Sequence, residues 1–273
     1  MREAGGRSRA WARMLRASGA IGLALALLAN PARGAEARGE MKLRVLVAAD
    51  EDPEMFSFDA GSAPGLEREM IESFARLHGL KVDAVPIVNF EDIIPALNGR
   101  QGDVILGIVE TEGRRAQVSF THEVLPTRHV VVTLAGRGPL RSLDELKTRK
   151  VGVVTGSTWA EAALEAGVPA GRVASFVDQR DMTRALLAGQ VNAVVMGITS
   201  FALAQKRHPE LRVSLFLGAP GRHAWAVRKS DTALRGLLDR HIAMLKGSAA
   251  WSHLLARYLS PESLALFASA RKP

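Results

Sequence analysis

The sequence contains no cysteine. That absence excludes a disulfide framework, a thiolate metal site and a cysteine nucleophile. It also excludes a lipid-anchored export form, which carries a cysteine directly after its cleavage site. Aromatic residues make up only 5% of the chain and tyrosine occurs once. Beyond residue 40 no run of Lys and Arg is interleaved with aromatics, so a nucleic-acid surface is not expected. The seven histidines are scattered and none forms a His-x-x-x-His pair, so no metal site is expected. Long hydrophobic runs are also missing. The longest near the start, Ala20 to Leu28, is too short for a comfortable membrane span.

That short run has a different reading. Arg2, Arg7, Arg9, Arg13 and Arg16 precede it, and Ala32-Arg-Gly34 or Ala35-Glu-Ala37 places small residues at cleavage positions. Residues 1–37 therefore read as a secretory signal peptide, either cleaved or kept as an anchor. With cleavage after Ala37, six basic and two acidic residues leave and the formal charge falls from +8 to +4. A soluble periplasmic protein is expected.

The chain as a whole is 47% hydrophobic, and beyond the signal segment it is organised around one stretch, Phe90 to Phe120. Asn89 is placed to cap a helix bearing Ile93, Ile94 and Leu97 on one face, with Gly99 as its stop. Asp103 to Ile108 is a short apolar run, the pattern of a strand covered on both faces. Ligands of open α/β sheets bind beyond the carboxyl ends of such strands, and Arg114 lies six residues past Ile108. An arginine there either holds a carboxylate with two parallel hydrogen bonds or is an ordinary solvated side chain. Further βα units flank this stretch. Arg44 to Ala49 reads as the first strand, followed by an acidic and aromatic exit from Asp50 to Phe58. Met70, Phe74 and Leu77 form the core stripe of the first long helix. His129 to Thr133, Lys150 to Val154, Val191 to Met196, Arg212 to Leu217 and Trp225 to Arg228 read as separate strands. Thr155-Gly-Ser-Thr158 joins a strand to a helix N-terminus, an arrangement that collects free N–H groups and binds anions. Thr158 and Ser230 are expected as helix caps, and Ser260-Pro261 opens the last helix.

The run Ile94-Pro95-Ala96-Leu97, then Gly102-Asp103-Val104, then Gly107 followed seven residues later by Arg114, resembles the first-lobe signature of type II periplasmic solute-binding proteins of family 3. These are the amino-acid-type receptors of ABC importers. The resemblance extends from about Leu43 to about Leu259. It implies an α/β fold of two discontinuous lobes joined by two crossover strands, residues 41–128 and 222–273 in one and 129–221 in the other. It implies a monomer that binds a small-molecule carboxylate and presents it to an ABC permease or a membrane sensor. In the family the arginine matching Arg114 binds the ligand's α-carboxylate, and Ser157 and Thr158 match the second carboxylate-binding loop. Phe90 matches an aromatic that stacks on the ligand, though it also suits a core position. Asp50 matches a position that contacts a ligand amino group, though beside Pro53 it is equally a loop former. Gly107, Val109 and Gly197 occupy the remaining ligand-facing positions.

Three departures bear on the ligand. The hydroxyl five residues before the arginine is replaced by Val109, and the acid after the second-lobe strand is replaced by Gly197. Pro53 stands where a stacking aromatic is usual. The Gly107-to-Arg114 spacing and His208-Pro-Glu-Leu211 are similar to the solute-binding domain of membrane-bound lytic transglycosylase F. Ending at Pro273, the chain is expected to lack room for that protein's catalytic domain. Some relatives of this fold are periplasmic dehydratases, and Glu110 and Glu112 are candidate acids. Catalysis needs a carboxyl with a raised pKa, which nothing local supplies beside Arg114 and Arg115. The expectation is therefore a binding protein without catalytic residues, cofactor or metal.

Overall fold

The computed structural model describes residues 41–138 and 140–271, so the expected signal peptide, residues 1–37, lies outside the described residues. The chain alternates strands and helices about one eight-stranded sheet of order β2-β1-β3-β8-β4-β7-β5-β6. At one end β1 (Lys42–Ala48) lies parallel to β2 (Lys81–Ile87) along its whole length and to β3 (Val104–Val109). Leu43, Val45, Leu46 and Val47 are all buried, as an apolar strand covered on both faces requires. At the other end β5 (Val151–Val154) runs parallel to β6 (Val173–Phe176) and to β7 (Ala193–Gly197).

Two long antiparallel strands join these halves, β4 (Ser119–Leu134) and β8 (Leu211–Val227). Val109 pairs with His223 of β8 on the first side, and His129 to Val132 of β4 pair with β7 on the second. The two crossover strands make the molecule two-lobed. They are also longer than the sequence suggests. The segments 212–217 and 225–228 are parts of one strand, and the strand expected at His129 begins at Ser119. Pro126 and the glycines at 218 and 221 look like breaks. In the fold they fall at or between register shifts, where a ladder tolerates a missing donor.

Helix α1 (Leu66–Leu77) buries Leu66, Met70, Ile71 and Phe74 against the first half, but Leu77 is 64% exposed in its final turn, at the edge of the buried face. A 3₁₀ turn at Phe90–Asp92 leads into α2 (Ile93–Asn98). Asn89 does not cap it through its side chain; its amide donates to Asp92 Oδ2 at 3.2 Å instead. The one-turn α3 (Glu112–Arg115) follows β3, and α4 (Leu143–Lys147) is capped by Ser142 as its S-x-x-E spacing predicts. Next come α5 (Thr158–Glu165), α6 (Gln179–Leu187) and α7 (Ile198–Arg207). Asp178 caps α6, accepting from the Asp181 N–H at 2.7 Å. After β8, α8 (Thr232–Lys246) starts from Asp231 rather than Ser230, which bonds to the Asp231 carboxylate. The last helices are α9 (Ala249–Tyr258) and α10 (Pro261–Ala270), the latter opening on Pro261 and the Ser260 hydroxyl as expected. Helix α10 packs on α7 and β4, so the chain's end straps back toward the second half. No helix of the described residues is long and apolar enough to cross a membrane.

Candidate functional site

Strand ends of both lobes converge on one cavity of ≈ 100 Å³, room for a small organic ion or a few waters. All eight positions singled out by sequence line it: Asp50, Phe90, Gly107, Val109 and Arg114 from one side, Ser157, Thr158 and Gly197 from the other.

The first wall begins with the turn after β3. Thr111 caps α3 by accepting the Arg114 N–H at 3.2 Å, a local device that spacing alone did not disclose. It fixes the backbone from which the Arg114 guanidinium turns back, donating to the Val109 carbonyl at 2.9 Å and to the Gly156 carbonyl at 3.4 Å. The guanidinium carbon stands 5.3 Å from the centre of the Phe90 ring, so Phe90 lines the site while also packing against the core of the first half. No carboxylate of the described residues lies within ion-pair distance of Arg114. Desolvation pushes its pKa down to about 10, and the Glu161 charge only partly opposes that shift.

Beneath Gly107 the structure departs from expectation, because two carboxyl groups with raised pKa are present. Gly107 has φ +66°, and a Cβ there would stand 2.9 Å from Glu51 Oε2 and 3.3 Å from Glu67 Oε2. Burial holds the Glu51 carboxyl protonated up to about 7, helped by the charges of Asp50 and Asp52. Burial and the Glu51 charge push Glu67 up to about 8, although the Trp225 Nε1–H donates to it at 3.0 Å. Glu110, offered from sequence as a candidate acid, is instead ion-paired with Arg115 at 3.1 Å and with Arg222. Asp50 is engaged across the cleft, its Oδ2 accepting the Gln179 N–H at 3.1 Å. Asp52 pairs with Arg207, and Glu54 with Lys206 at 2.8 Å. The lobes thus meet at the cleft mouth, where Gly156 packs directly on Glu91; a Cβ at Gly156 would lie 2.8 Å from the Glu91 Cβ.

The second wall is built differently. Ser157, not Thr158, is the cap of α5, accepting from the Trp159 N–H at 3.3 Å and donating to the Val154 carbonyl at 2.6 Å. Its hydroxyl is spent on the loop, so what the loop offers a ligand is backbone N–H. The Thr158 hydroxyl shares a 2.8 Å hydrogen bond with His129 Nε2. Burial and the nearby Arg114 charge push His129 down to about 4, which keeps its imidazole neutral. Gly197 is the cap residue of α7 and makes no side-chain capping bond. Sequence reasoning missed Thr127, Trp159, Thr199 and His223, all of which line the cavity, and the raised pKa of Glu51 beside Asp50. Trp159 and Thr199 each lie within two residues of a position already singled out. Glu67, Thr127 and His223 carry no local pattern; only the pairing of long strands and helices brings them in.

A model of the bacterial extracellular solute-binding proteins, family 3, matches residues 43–261. Membrane-bound lytic murein transglycosylase F of Pseudomonas syringae pv. tomato is 26% identical over 223 residues, 79% of this chain and 44% of that one. The protein of the same name from Pseudomonas putida is 26% identical over 254 residues, 90% of this chain and 52% of that one. The chain spans about half the length of these curated relatives. Among solved structures, an ancestral arginine-binding protein bound to arginine superimposes with a TM-score of 0.68 at 27% identity, covering 80% of this chain and 98% of that one. The holo form of ArgBP from T. maritima gives 0.67 at 25% identity, covering 80% and 96%. An ancestral amino acid-binding protein, a precursor of cyclohexadienyl dehydratase, gives 0.72 at 23% identity over 80% and 96%, a likeness of fold.

Proposed function

Because the chain belongs to the bacterial extracellular solute-binding proteins, family 3, we propose that it captures a small carboxylate between its two lobes in the periplasm and releases it unaltered. The observation that carries this reading is Arg114, a desolvated guanidinium in a cleft without a carboxylate partner among the described residues. A ligand carboxylate supplies the missing charge, and contacts from both lobes favour the closed arrangement over an open one. We place the lobe boundaries at the crossovers, 41–128 and 222–273 against 129–221, with α10 strapped across to α7. Register shifts around Thr127 and the facing Gly221 support a hinge there. Export through residues 1–37, a monomeric state and delivery to an ABC permease complete the proposal.

Arg114→Ala tests it. Carboxylate affinity falls by about 2–5 kcal/mol, because the ligand's charge is left buried and unpaired. Thermal shift against amino, keto and hydroxy acids and muropeptide fragments identifies the ligand class first. A ligand at a hundredfold excess over its dissociation constant raises stability by about 2.7 kcal/mol. Unchanged affinity in the variant refutes the reading.

Two observations favour other uses of the same cleft. The span of transglycosylase F that the chain matches supports a sensing or regulatory module of the envelope, distinguished from transport by capture of a partner other than a permease. Glu51, protonated up to about 7 and lining the cavity, has the pKa of a general acid and supports a dehydratase. Mass spectrometry of a bound ligand after incubation separates the cases: intact ligand for a receptor, a dehydrated product lost in Glu51→Gln for an enzyme.

A further inference from the structure

The corner of the cavity around Gly197 contains hydrogen-bond donors and no acid. The three carboxylic side chains lining the cavity, Asp50, Glu51 and Asp52, all belong to the other wall. Helix α7, ten residues long, points its N-terminus into this corner from Gly197, with φ −71° and no side chain to cap the first N–H groups. Thr199 in its first turn is only 8% exposed, and its hydroxyl oxygen is buried without a hydrogen-bond partner. A buried hydroxyl of that kind costs free energy until something pairs with it. The Trp159 indole nitrogen and the Thr127 hydroxyl lie 3.6 and 3.7 Å from where a Cβ on Gly197 would stand. The indole N–H and the Thr127 hydroxyl therefore flank an uncapped helix start, with the unpartnered Thr199 hydroxyl in its first turn, and the dipole there favours negative charge.

We infer that this corner is a second anion subsite, and that the ligand is a dianion with one carboxylate on Arg114 and the other at the start of α7. The inference rests on the reading of Arg114 as the first carboxylate clamp. A carboxylate satisfies the corner because it is acceptor-only and can take bonds from several donors at once. An ammonium is disfavoured, because the helix start and the indole N–H oppose a positive charge there and only neutral hydroxyls can accept from it. The two subsites belong to different lobes, so a dianion of the right length holds them together from both ends.

Calorimetry with the exported chain tests the subsite using acids matched in carbon number: succinate against butyrate, glutarate against pentanoate, adipate against hexanoate. In at least one pair the dicarboxylate binds on the order of tenfold tighter, the effect of about 1.4 kcal/mol from a helix terminus and its donors. Gly197→Asp abolishes that difference by placing a carboxylate in the corner. The nearest atoms to its Cβ are at ordinary contact distances, and Asp is a favourable cap, so the variant folds. Thr199→Val, nearly the same shape, reduces the difference. Equal binding within every pair overturns the second subsite while leaving the Arg114 clamp standing. A dicarboxylate advantage that survives Gly197→Asp also overturns it. Failure of every acid to bind overturns both readings.

Discussion

The two walls of the cleft handle charge in opposite ways. The first gathers ionisable groups: a guanidinium, two aspartates, and a glutamate over a second buried glutamate. The second presents backbone N–H groups, hydroxyls and an indole, with the neutral imidazole of His129 behind the Thr158 hydroxyl. Yet the acids of the first wall are not free to receive a cation. Asp50 and Asp52 are engaged with the second lobe, and Glu51 stays protonated to about 7. Among the described residues, the charge facing the cavity without an ion-pair partner is the positive one of Arg114. Counting acidic residues in the loop after β1 would have suggested the reverse, and only their partners correct it.

The largest effect is expected where the first wall is anchored. Trp225 is fully buried and donates to Glu67. Trp225→Ala lowers unfolding stability by about 3–5 kcal/mol, measured by chemical denaturation, because it opens a cavity and removes the carboxyl's partner. Next comes the fork geometry of the clamp. Arg114→Lys keeps the charge but loses the paired planar donors, and carboxylate affinity falls by about 1.5–3 kcal/mol in calorimetry, the worth of hydrogen bonds to a charged group. An unchanged affinity would reduce Arg114 to a point charge and blur the contrast between the walls.

The gentlest probe is pH. In the unfolded chain Glu67 loses its proton near 4.5, whereas in the fold it keeps it to about 8. Between those values the native state binds more protons, so stability falls as pH rises. Glu51 acts in the same direction up to about 7. The second wall has the opposite sign, since His129 is held neutral down to about 4 against its ordinary 6.5, and stability falls as pH drops through that window. Denaturation midpoints of Glu67→Gln should therefore decline less between pH 5 and 8 than those of the parent, with acid behaviour unaffected.

How much of this was legible in the sequence follows the range of the interactions. Local devices were visible: the S-x-x-E spacing at Ser142, the Pro261 start, the apolar strands, and the loop that carries Ser157. Arg114 was legible because its position is set by a strand and one turn of chain. The errors are of two kinds. Local competition misled where neighbouring polar residues rival one another, so that Ser157 displaced Thr158 and Asp231 displaced Ser230 as caps. Tertiary pairing misled where residues far apart share an environment. Glu67 lies in the first long helix and Trp225 in the last strand, 158 residues on, and nothing local raises a carboxyl's pKa in either place. Gly107 gave a partial signal, because its positive φ leaves the space into which Glu51 and Glu67 crowd.

The central claim is that the cleft pairs a carboxylate and offers no free acceptor for an ammonium. Desolvating an unpaired ammonium there is too costly to tolerate. Calorimetric titration of the protein with an amino acid and with its 2-keto analogue, at pH below 7, measures this directly. The account predicts that the keto acid binds at least as tightly as the amino acid. A marked preference for the amino acid, abolished by Asp50→Asn, would contradict it.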